Sequence, residues 1–181
     1  MKIEELKLSG AYYLEPDIHK DNRGFFFEWF QKERFQKETG IDFKIEQVNY
    51  SKSTKGVLRG LHYQLNPCAQ SKLIAVTKGE IQDVIADVRK NSATYGQHYS
   101  VVLNAEKKNQ LYVPKGFAHG FLVLSKEVEL IYAIDNKYAP NHDCGILYND
   151  KTLGIEWGNQ NPIVSEKDKV LKSFQEAENN F

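Results

Sequence analysis

The sequence predicts an all-β protein, a sandwich or barrel with short flanking helices. Its apolar runs are short and rich in β-branched and aromatic residues, and Gly, Asn or Pro interrupts them. The interruptions recur at roughly 8–12 residues, a spacing typical of β-sandwiches and barrels. The 181 residues contain no internal repeat, low-complexity stretch or linker, so we expect one domain over residues 1–181.

The N-terminal part is predicted to contain two strands and a helix. Residues 7–15 form the first strand, and residues 31–39 form a short helix followed by a glycine stop. A second strand covers residues 43–50. In that strand Gln47 and Asn49 share one face, because side chains alternate with a period of two.

The rest of the chain is predicted to be strands, closed by one helix. The strands cover residues 57–64, 72–77, 81–88, 99–103, 110–113, 121–124 and 128–134. Residues 165–174 begin with Ser-x-x-Asp, which is typical of a capped helix start.

Composition excludes several classes of partner. The 24 Lys and Arg residues balance the 24 Asp and Glu residues, so nothing favours general binding to nucleic acid or anionic membranes. No apolar run is long enough to span a bilayer, and residues 1–8 lack the apolar stretch of a secretion signal. Cys68 and Cys144 lie far apart and are expected to be free thiols. We therefore expect a cytoplasmic protein.

Residues 56–72 are the most informative stretch, because a strand there carries several polar groups. Such groups are seldom buried without partners, so Arg59, His62 and Lys72 indicate a polar cavity lined by sheet. An imidazole beside cations suits proton abstraction next to a carbonyl, although a structural His is an equally open interpretation. Arg59 has the wrong parity to share the face of His62 unless the strand bulges. We therefore expect a bulge at Gly60.

The Pro-x-Gly turn that leads into His119 is a cupin-like feature, in which that His can bind a metal. Metal-binding cupins usually present His-x-His and a Glu on earlier strands, whereas this chain has His62-Tyr63-Gln64. Two His without a carboxylate partner make a weak metal site. The sequence therefore predicts no metal.

Other candidates remain open between a chemical and a structural role. Tyr132 and Tyr138 could donate protons, but most tyrosines pack. Asp168 occupies the acidic position of the helix cap, or it could orient His62 as in a His–Asp pair. Arg23 could hold a phosphate or lie in solvent. Two further acids, Asp83 and Asp87, alternate within one strand, could pair with surface cations and receive no chemical role.

Taken together, these stretches resemble the dTDP-4-dehydrorhamnose 3,5-epimerase family. The matching segments are residues 21–26, 47–51, 56–64, 70–73, 110–121, 149–150 and 154–157. The resemblance implies a jelly-roll cupin fold and a homodimer without metal or cofactor. It also implies a nucleotide-sugar substrate, dTDP-4-dehydro-6-deoxy-D-glucose, epimerised at carbons 3 and 5 to dTDP-4-dehydro-L-rhamnose.

The resemblance also implies roles for individual residues. His62 matches the base, Asp168 the carboxylate that polarises it, and Tyr132 the acid on the opposite face. Lys72 would stabilise the enolate oxygen. The positions that match substrate contacts are Arg23, Glu28, Gln47, Asn49, Arg59, Lys72, His119, Tyr138, Asp143 and Lys167.

The chain departs from the family pattern at the rim of the expected site. Many members have Gln-Asp-Asn where this chain has Gln47-Val48-Asn49, and Asp143 replaces a common Glu. A single-position epimerase or a ketoisomerase is therefore an alternative within sugar nucleotides. A metal-dependent cupin and a non-catalytic sugar-nucleotide binder are the alternatives from other classes.

Overall fold

The computed structural model describes residues 1–181 and consists mainly of strands. In chain order the elements are β1 (Lys2–Glu5), β2 (Tyr12–Glu15), β3 (His19–Asp21), β4 (Gly24–Phe26), α1 (Lys32–Thr39), β5 (Gln47–Thr54), β6 (Val57–Gln64), β7 (Lys72–Lys78), β8 (Glu80–Asp87), β9 (His98–Asn104), β10 (Gln110–Val113), β11 (Phe117–Val123), β12 (Glu127–Ile134), a 3₁₀ turn (Pro140–His142), β13 (Asp143–Gly145), β14 (Ile163–Val164) and α2 (Glu166–Lys169). No helix is long and apolar enough to cross a membrane.

The strands form two main sheets and a separate hairpin. The first sheet has the order β1-β2-β10-β7-β12-β5, and the second has the order β13-β6-β11-β8-β9 with β14 added in parallel to β6. All other pairings between these strands are antiparallel, and β3 pairs only with β4. Strands that follow one another in sequence often lie in opposite sheets, so the chain winds as a jelly roll of the cupin type. The predicted fold class is confirmed.

Apolar side chains from both sheets meet in a central core. Ile74 and Leu111 from the first sheet pack with Ile85 and Phe121 from the second, within a cluster of 15 buried residues. On the outer face of the first sheet, Phe35 of α1 is buried with five other residues. The sequence after β13 covers the outer face of the second sheet. Helix α1 and the segment after β13 therefore cover the outer faces of the two sheets, and neither fills the space between the sheets.

Most predicted elements are confirmed, with small shifts at their ends. Helix α1 begins after Gln31, whose side chain accepts from the Arg34 N–H, and stops at Gly40 with φ of +76°. Strands β6 and β10 have the predicted bounds, and β7, β8, β9 and β12 differ by one residue at one or both ends. Strand β11 begins four residues earlier than predicted, because its start pairs fully with β8.

Three predicted elements are wrong in extent. Of the expected strand over residues 7–15 only Tyr12–Glu15 is a strand, because residues 7–10 form the turn between β1 and β2. In this turn the Gly10 N–H donates to Glu5 at 2.9 Å. Strand β5 runs over 47–54 rather than 43–50. The C-terminal helix ends after one turn, because the chain then pairs with the stretch after β13 through the Leu147 N–H and Lys172 carbonyl, 2.9 Å apart.

Candidate active site

A cleft opens between the two sheets and is divided into two adjoining lobes. Their volumes are about 550 and 410 Å³, and the lobes share four lining side chains: His62, Lys72, Tyr132 and Lys167. His62 lies on β6 of the second sheet, whereas Lys72 and Tyr132 lie on β7 and β12 of the first. Groups from opposite walls therefore face the same space.

His62 and Asp168 form a hydrogen-bonded pair at the centre of the cleft. Nε2 of His62 lies 2.7 Å from Oδ1 of Asp168, and Oδ2 of Asp168 accepts the Gly60 N–H at 3.1 Å. Burial alone would raise the pKa of this carboxyl group. The bond and charge of His62 and the Gly60 N–H outweigh burial, so the pKa of Asp168 is lowered. The carboxylate therefore accepts from Nε2–H, which leaves Nδ1 free to take a proton.

The helix cap and the His–Asp pair, which the sequence left as alternatives, use different atoms of Asp168. Its backbone N–H donates to Ser165 Oγ at 3.1 Å, as a capped helix requires. Its carboxylate instead points to His62, and the side chain is only 4% exposed. The one-turn helix α2 thus serves to deliver a buried carboxylate to the imidazole.

The predicted bulge in β6 is confirmed at Gly60. Opposite it the register shifts, because His119 pairs with His62 but Phe121 pairs with Arg59. Gly60 has φ of +108°, and a Cβ there would lie 2.6 Å from the carbonyl oxygen of His119. Both facts restrict the position to glycine. As a result Arg59 lines the cleft together with His62 despite its odd spacing.

Lys72 contributes a cation with an altered proton affinity. Burial lowers its pKa to about 8, although the charges of Asp143 and Asp83 act in the opposite direction. Its Nζ lies 3.5 Å from the backbone oxygen of His62, so it reaches across from the first sheet to the strand of the imidazole. At neutral pH it remains mostly protonated, and a positive charge in an enclosed site stabilises a developing oxyanion.

Tyr132 faces the imidazole wall from the first sheet. Burial raises the pKa of its phenol, and the positive charge of Arg59 offsets this in part. In β12 it pairs in register with Asn49 of β5 and Ile74 of β7. A phenol held in its protonated form by its surroundings can serve as a proton donor.

His119 is fixed by a buried carboxylate that the sequence analysis placed incorrectly. Nε2 of His119 lies 3.0 Å from both oxygens of Asp83, which is fully buried. Asp87 is buried as well and binds Arg89 at 2.7 Å. Asp87 does pair with a cation, but the surface placement of the two acids was wrong, because both share the inward face of β8 with the core residue Ile85.

The smaller lobe is bordered by a polar rim. Gln47 and Asn49 share one face of β5, as predicted, and the Gln47 side-chain NH₂ donates to Asn49 Oδ1 at 2.6 Å. Across the lobe, Asp143 Oδ2 accepts from the Tyr138 hydroxyl at 3.2 Å and from Lys167 Nζ at 2.5 Å. All five side chains line this lobe.

Two predicted binding residues lie outside the cleft. Arg23 lies at the turn of the β3–β4 hairpin, with its side chain 86% exposed and 2.6 Å from Asp21. Glu28 binds Arg34 at 2.7 Å. No residue before Gln47 lines either lobe. Within a single chain, these two positions are therefore separated from the site.

Part of the cleft wall is formed by residues to which the sequence assigned no role. The unassigned lining residues are Ser51, Val57, Leu58, Tyr63, Gln64, Gln70, Phe121, Leu130, Ile134, Ile163, Val164 and Ser165. Ser51 could have been found, because it continues the two-residue period of Gln47 and Asn49. Residues 163–165 could not, because β14 is only two residues long and gives no pattern. No three side chains of the metal-binding types form a group that could hold an ion.

Fold and cleft together define a cupin-type enzyme equipped for proton transfer, with an imidazole–carboxylate pair on one wall and a phenol on the other. The family model described as dTDP-4-dehydrorhamnose 3,5-epimerase matches residues 5–176. A protein of that name from Shigella flexneri is 46% identical over 178 residues, covering 98% of both chains. The chain belongs to the dTDP-4-dehydrorhamnose 3,5-epimerase family, a family of isomerases.

Solved structures of relatives agree with this assignment. The dTDP-6-deoxy-D-glucose-3,5-epimerase of Legionella pneumophila, in complex with dTDP-4-keto-L-rhamnose, is 41% identical with a TM-score of 0.93, covering 97% of this chain and 93% of that one. A 3'-monoepimerase from Streptomyces bikiniensis, in complex with dTDP-quinovose, is 35% identical with a TM-score of 0.90, covering 94% and 87%. Relatives with this fold are therefore named both for epimerisation at two positions of the sugar and for epimerisation at one.

Proposed function

We propose that this isomerase epimerises dTDP-4-dehydro-6-deoxy-D-glucose at carbons 3 and 5 to give dTDP-4-dehydro-L-rhamnose. The observation that carries the proposal is the placement of His62 and Tyr132 on opposite walls of one cleft. Inversion at a carbon requires removal of a proton from one face and delivery to the other. A base and an acid on facing walls meet that requirement.

The 4-keto group acidifies the hydrogens on both neighbouring carbons. Nδ1 of His62 takes the proton, and the electrons of the broken C–H bond move into an enolate whose oxygen faces the Lys72 cation. The Tyr132 hydroxyl then gives its proton to the same carbon from the opposite face. Solvent carries the proton from His62 back to the tyrosinate, which restores both groups. Repetition at the second carbon completes the reaction.

The charge of the cleft supports an anionic substrate. Arg59 and Lys72 line it as cations without a carboxylate partner, whereas Lys167 pairs with Asp143 and the carboxylate of Asp168 is bound to His62. We assign the diphosphate to Arg59, Lys167 and His119, because a guanidinium fork binds phosphate in bidentate fashion. Gln47 and Asn49 offer amide groups to the nucleotide, and Tyr138 offers a ring for stacking.

Deuterium exchange tests this reaction directly. The protein is incubated in heavy water with dTDP-4-dehydro-6-deoxy-D-glucose, and incorporation at carbons 3 and 5 is followed by NMR. We expect exchange at both carbons, its loss in His62→Ala, and retention in His98→Ala, a control imidazole outside the cleft. In Tyr132→Phe we expect exchange without inversion, because the base still acts while the acid is missing. Full turnover by His62→Ala would refute the assignment of the base.

The same experiment decides the alternative, a single-position epimerase. The structural likeness to a 3'-monoepimerase favours this candidate as the second choice. Exchange confined to one carbon, with the other proton retained, would select it. The residues at the altered rim would then be the place to look for the restriction.

We further propose that the protein acts as a homodimer in the cytoplasm. Arg23 lies at the turn of a hairpin whose Phe25 and Phe26 are 56% and 70% exposed, as expected of a segment that packs on a second copy. Such packing would supply Arg23 and Glu28 to the partner's cleft. The two free cysteines support a reducing compartment.

Mixing two inactive variants tests the shared site. If each cleft uses Arg23 of the other copy, a heterodimer of Arg23→Ala and His62→Ala chains contains one intact site and regains activity. If Arg23 serves its own cleft, no intact site forms and the mixture stays inactive. Analytical ultracentrifugation of the mixture establishes that the heterodimer has formed.

A further inference from the structure

The outer wall of the smaller lobe is a short segment, residues 136–139, that follows β12. Tyr138 lies within it, with 55% of its surface exposed and its hydroxyl 3.2 Å from Asp143. An exposed side chain on such a segment is positioned mainly through its backbone. The contacts that hold this backbone therefore determine where the ring of Tyr138 lies.

Gln64 holds this backbone on both sides of Tyr138. Its side-chain NH₂ donates to the carbonyl of Lys137 at 3.2 Å, and its Oε1 accepts the Ala139 N–H at 2.7 Å. The NH₂ also donates to the carbonyl of Cys68 at 2.6 Å, which fixes the amide plane. The residue is only 4% exposed. A buried amide with three backbone partners is a rigid connection.

The other anchors of the segment act earlier in the chain. Gln70 donates to the carbonyl of Asn136 at 2.9 Å, and the Asn136 side chain donates to Pro67 and Ala69 carbonyls at 3.3 and 3.5 Å. These bonds hold residue 136, and the Asn136 side chain also accepts the Lys137 N–H at 2.9 Å, but none of them reaches the Lys137 carbonyl or the Ala139 N–H. Gln64 is thus the side chain that holds the backbone on either side of Tyr138.

Gln64 also links the segment to the strand of the candidate base. It lies two residues after His62 in β6, so by the period of the strand both side chains project from the same face. Both line the smaller lobe. The relative placement of the imidazole and the Tyr138 ring is therefore set through one strand.

We infer that Gln64 is a positioning residue, which sets the place of Tyr138 and thereby the affinity of the smaller lobe for its ligand. In this role it acts through the backbone of Lys137 and Ala139 and touches no reacting atom. The nature of the ligand, a nucleoside diphosphate sugar, rests on the proposed function. The positioning of Tyr138 by Gln64 does not rest on the proposed function.

The first test measures the backbone. In Gln64→Met, which keeps an unbranched chain of similar length but cannot form these bonds, we expect the Ala139 amide to exchange at least about tenfold faster. Gln64→Glu provides a second variant if the first does not fold. It keeps the oxygen that accepts from the Ala139 N–H but places a carboxylate oxygen against the carbonyls of Cys68 and Lys137. Unchanged exchange at Ala139 in a folded variant would overturn the inference.

The second test is a double-mutant cycle with Tyr138→Ala. We expect Gln64→Met alone to raise KM about tenfold while kcat changes less than about threefold, and to add less than about twofold to KM in the Tyr138→Ala background. A merely structural role would give independent, multiplying effects, and that outcome would contradict the inference. If the wild-type protein shows no activity on dTDP sugars, the proposed function fails, and the exchange of Ala139 alone decides the role of Gln64.

Discussion

Replacing Lys72 by Met should stabilise the protein at neutral pH while removing most of its activity. The folded protein holds the pKa of Lys72 near 8, against an ordinary value of 10.5. A tenfold change in proton affinity corresponds to about 1.4 kcal/mol, so keeping this lysine charged in the folded state costs up to about 3 kcal/mol at pH 7. Because water enters the cleft, we expect about 1–2 kcal/mol of this in practice.

The pH dependence follows from the same difference. Between about pH 8 and 10.5 the folded chain has released the proton while the unfolded chain still holds it, so stability of the wild-type protein rises with pH in that window. The Met variant lacks this rise. The stability gained by the Met variant over the wild-type protein is therefore full at pH 7 and disappears by about pH 10.5.

Urea unfolding at pH 7 and pH 10 measures the effect, with Lys37→Met as the control, since Lys37 is an exposed residue of α1 with no ion pair. Turnover of the Met variant should fall by roughly 100-fold or more, as when an oxyanion donor is removed. A Met variant that is no more stable at pH 7, or whose advantage is equal at both pH values, would refute the reasoning.

Two further predictions concern the centre of the cleft. Gly60→Ala should lower the free energy of unfolding by about 3 kcal/mol, because its Cβ would lie 2.6 Å from the His119 carbonyl oxygen. Gly24 also has a positive φ, +133°, but open space around it, so Gly24→Ala should lower it by only about 1 kcal/mol. Equal losses of stability for the two variants in thermal unfolding would contradict this. Asp168→Asn should lower turnover and flatten the acid side of the stability curve. The pKa of the Asp168 carboxyl group is lowered on folding, so its contribution to stability is present above about pH 4 and is lost as the pH falls further. If the urea midpoint of Asp168→Asn falls between pH 6 and pH 3 as steeply as that of the wild-type protein, the prediction is wrong.

Local patterns were sufficient to predict most strands and one irregular feature. Strand β6 has the predicted bounds because apolar strand formers run between a glycine turn and the Asn66-Pro67 turn. Arg59 and His62 are three residues apart and would face opposite sides of a regular strand, and this spacing predicted the bulge at Gly60 from the sequence alone. Both inferences use neighbouring residues only, where sequence and geometry are directly related.

Contacts between distant residues could not be derived from pattern. Asp168 meets His62 across 106 positions. The residue pattern left this pair open beside a helix-cap role, and the family resemblance implied it. Asp83 was mistaken for a surface acid because alternation along β8 does not say which face is inward. Arg23 and Glu28 show the converse, because the resemblance assigns both to the site whereas neither lines the cleft of its own chain.

The placement of His62 and Tyr132, the proposed base and acid, on different sheets has a consequence for the stereochemistry of the proposed reaction. Stacked sheets lie about 10 Å apart, and the side chains on each wall occupy part of that distance. Under the proposed function the sugar ring lies between these walls, with His62 on one side and Tyr132 on the other. The face that receives the proton then depends on the gap between the two sheets. Core substitutions that widen this gap should let the ring tilt and be reprotonated on the face it lost, so faithful inversion depends on packing far from the reacting carbons.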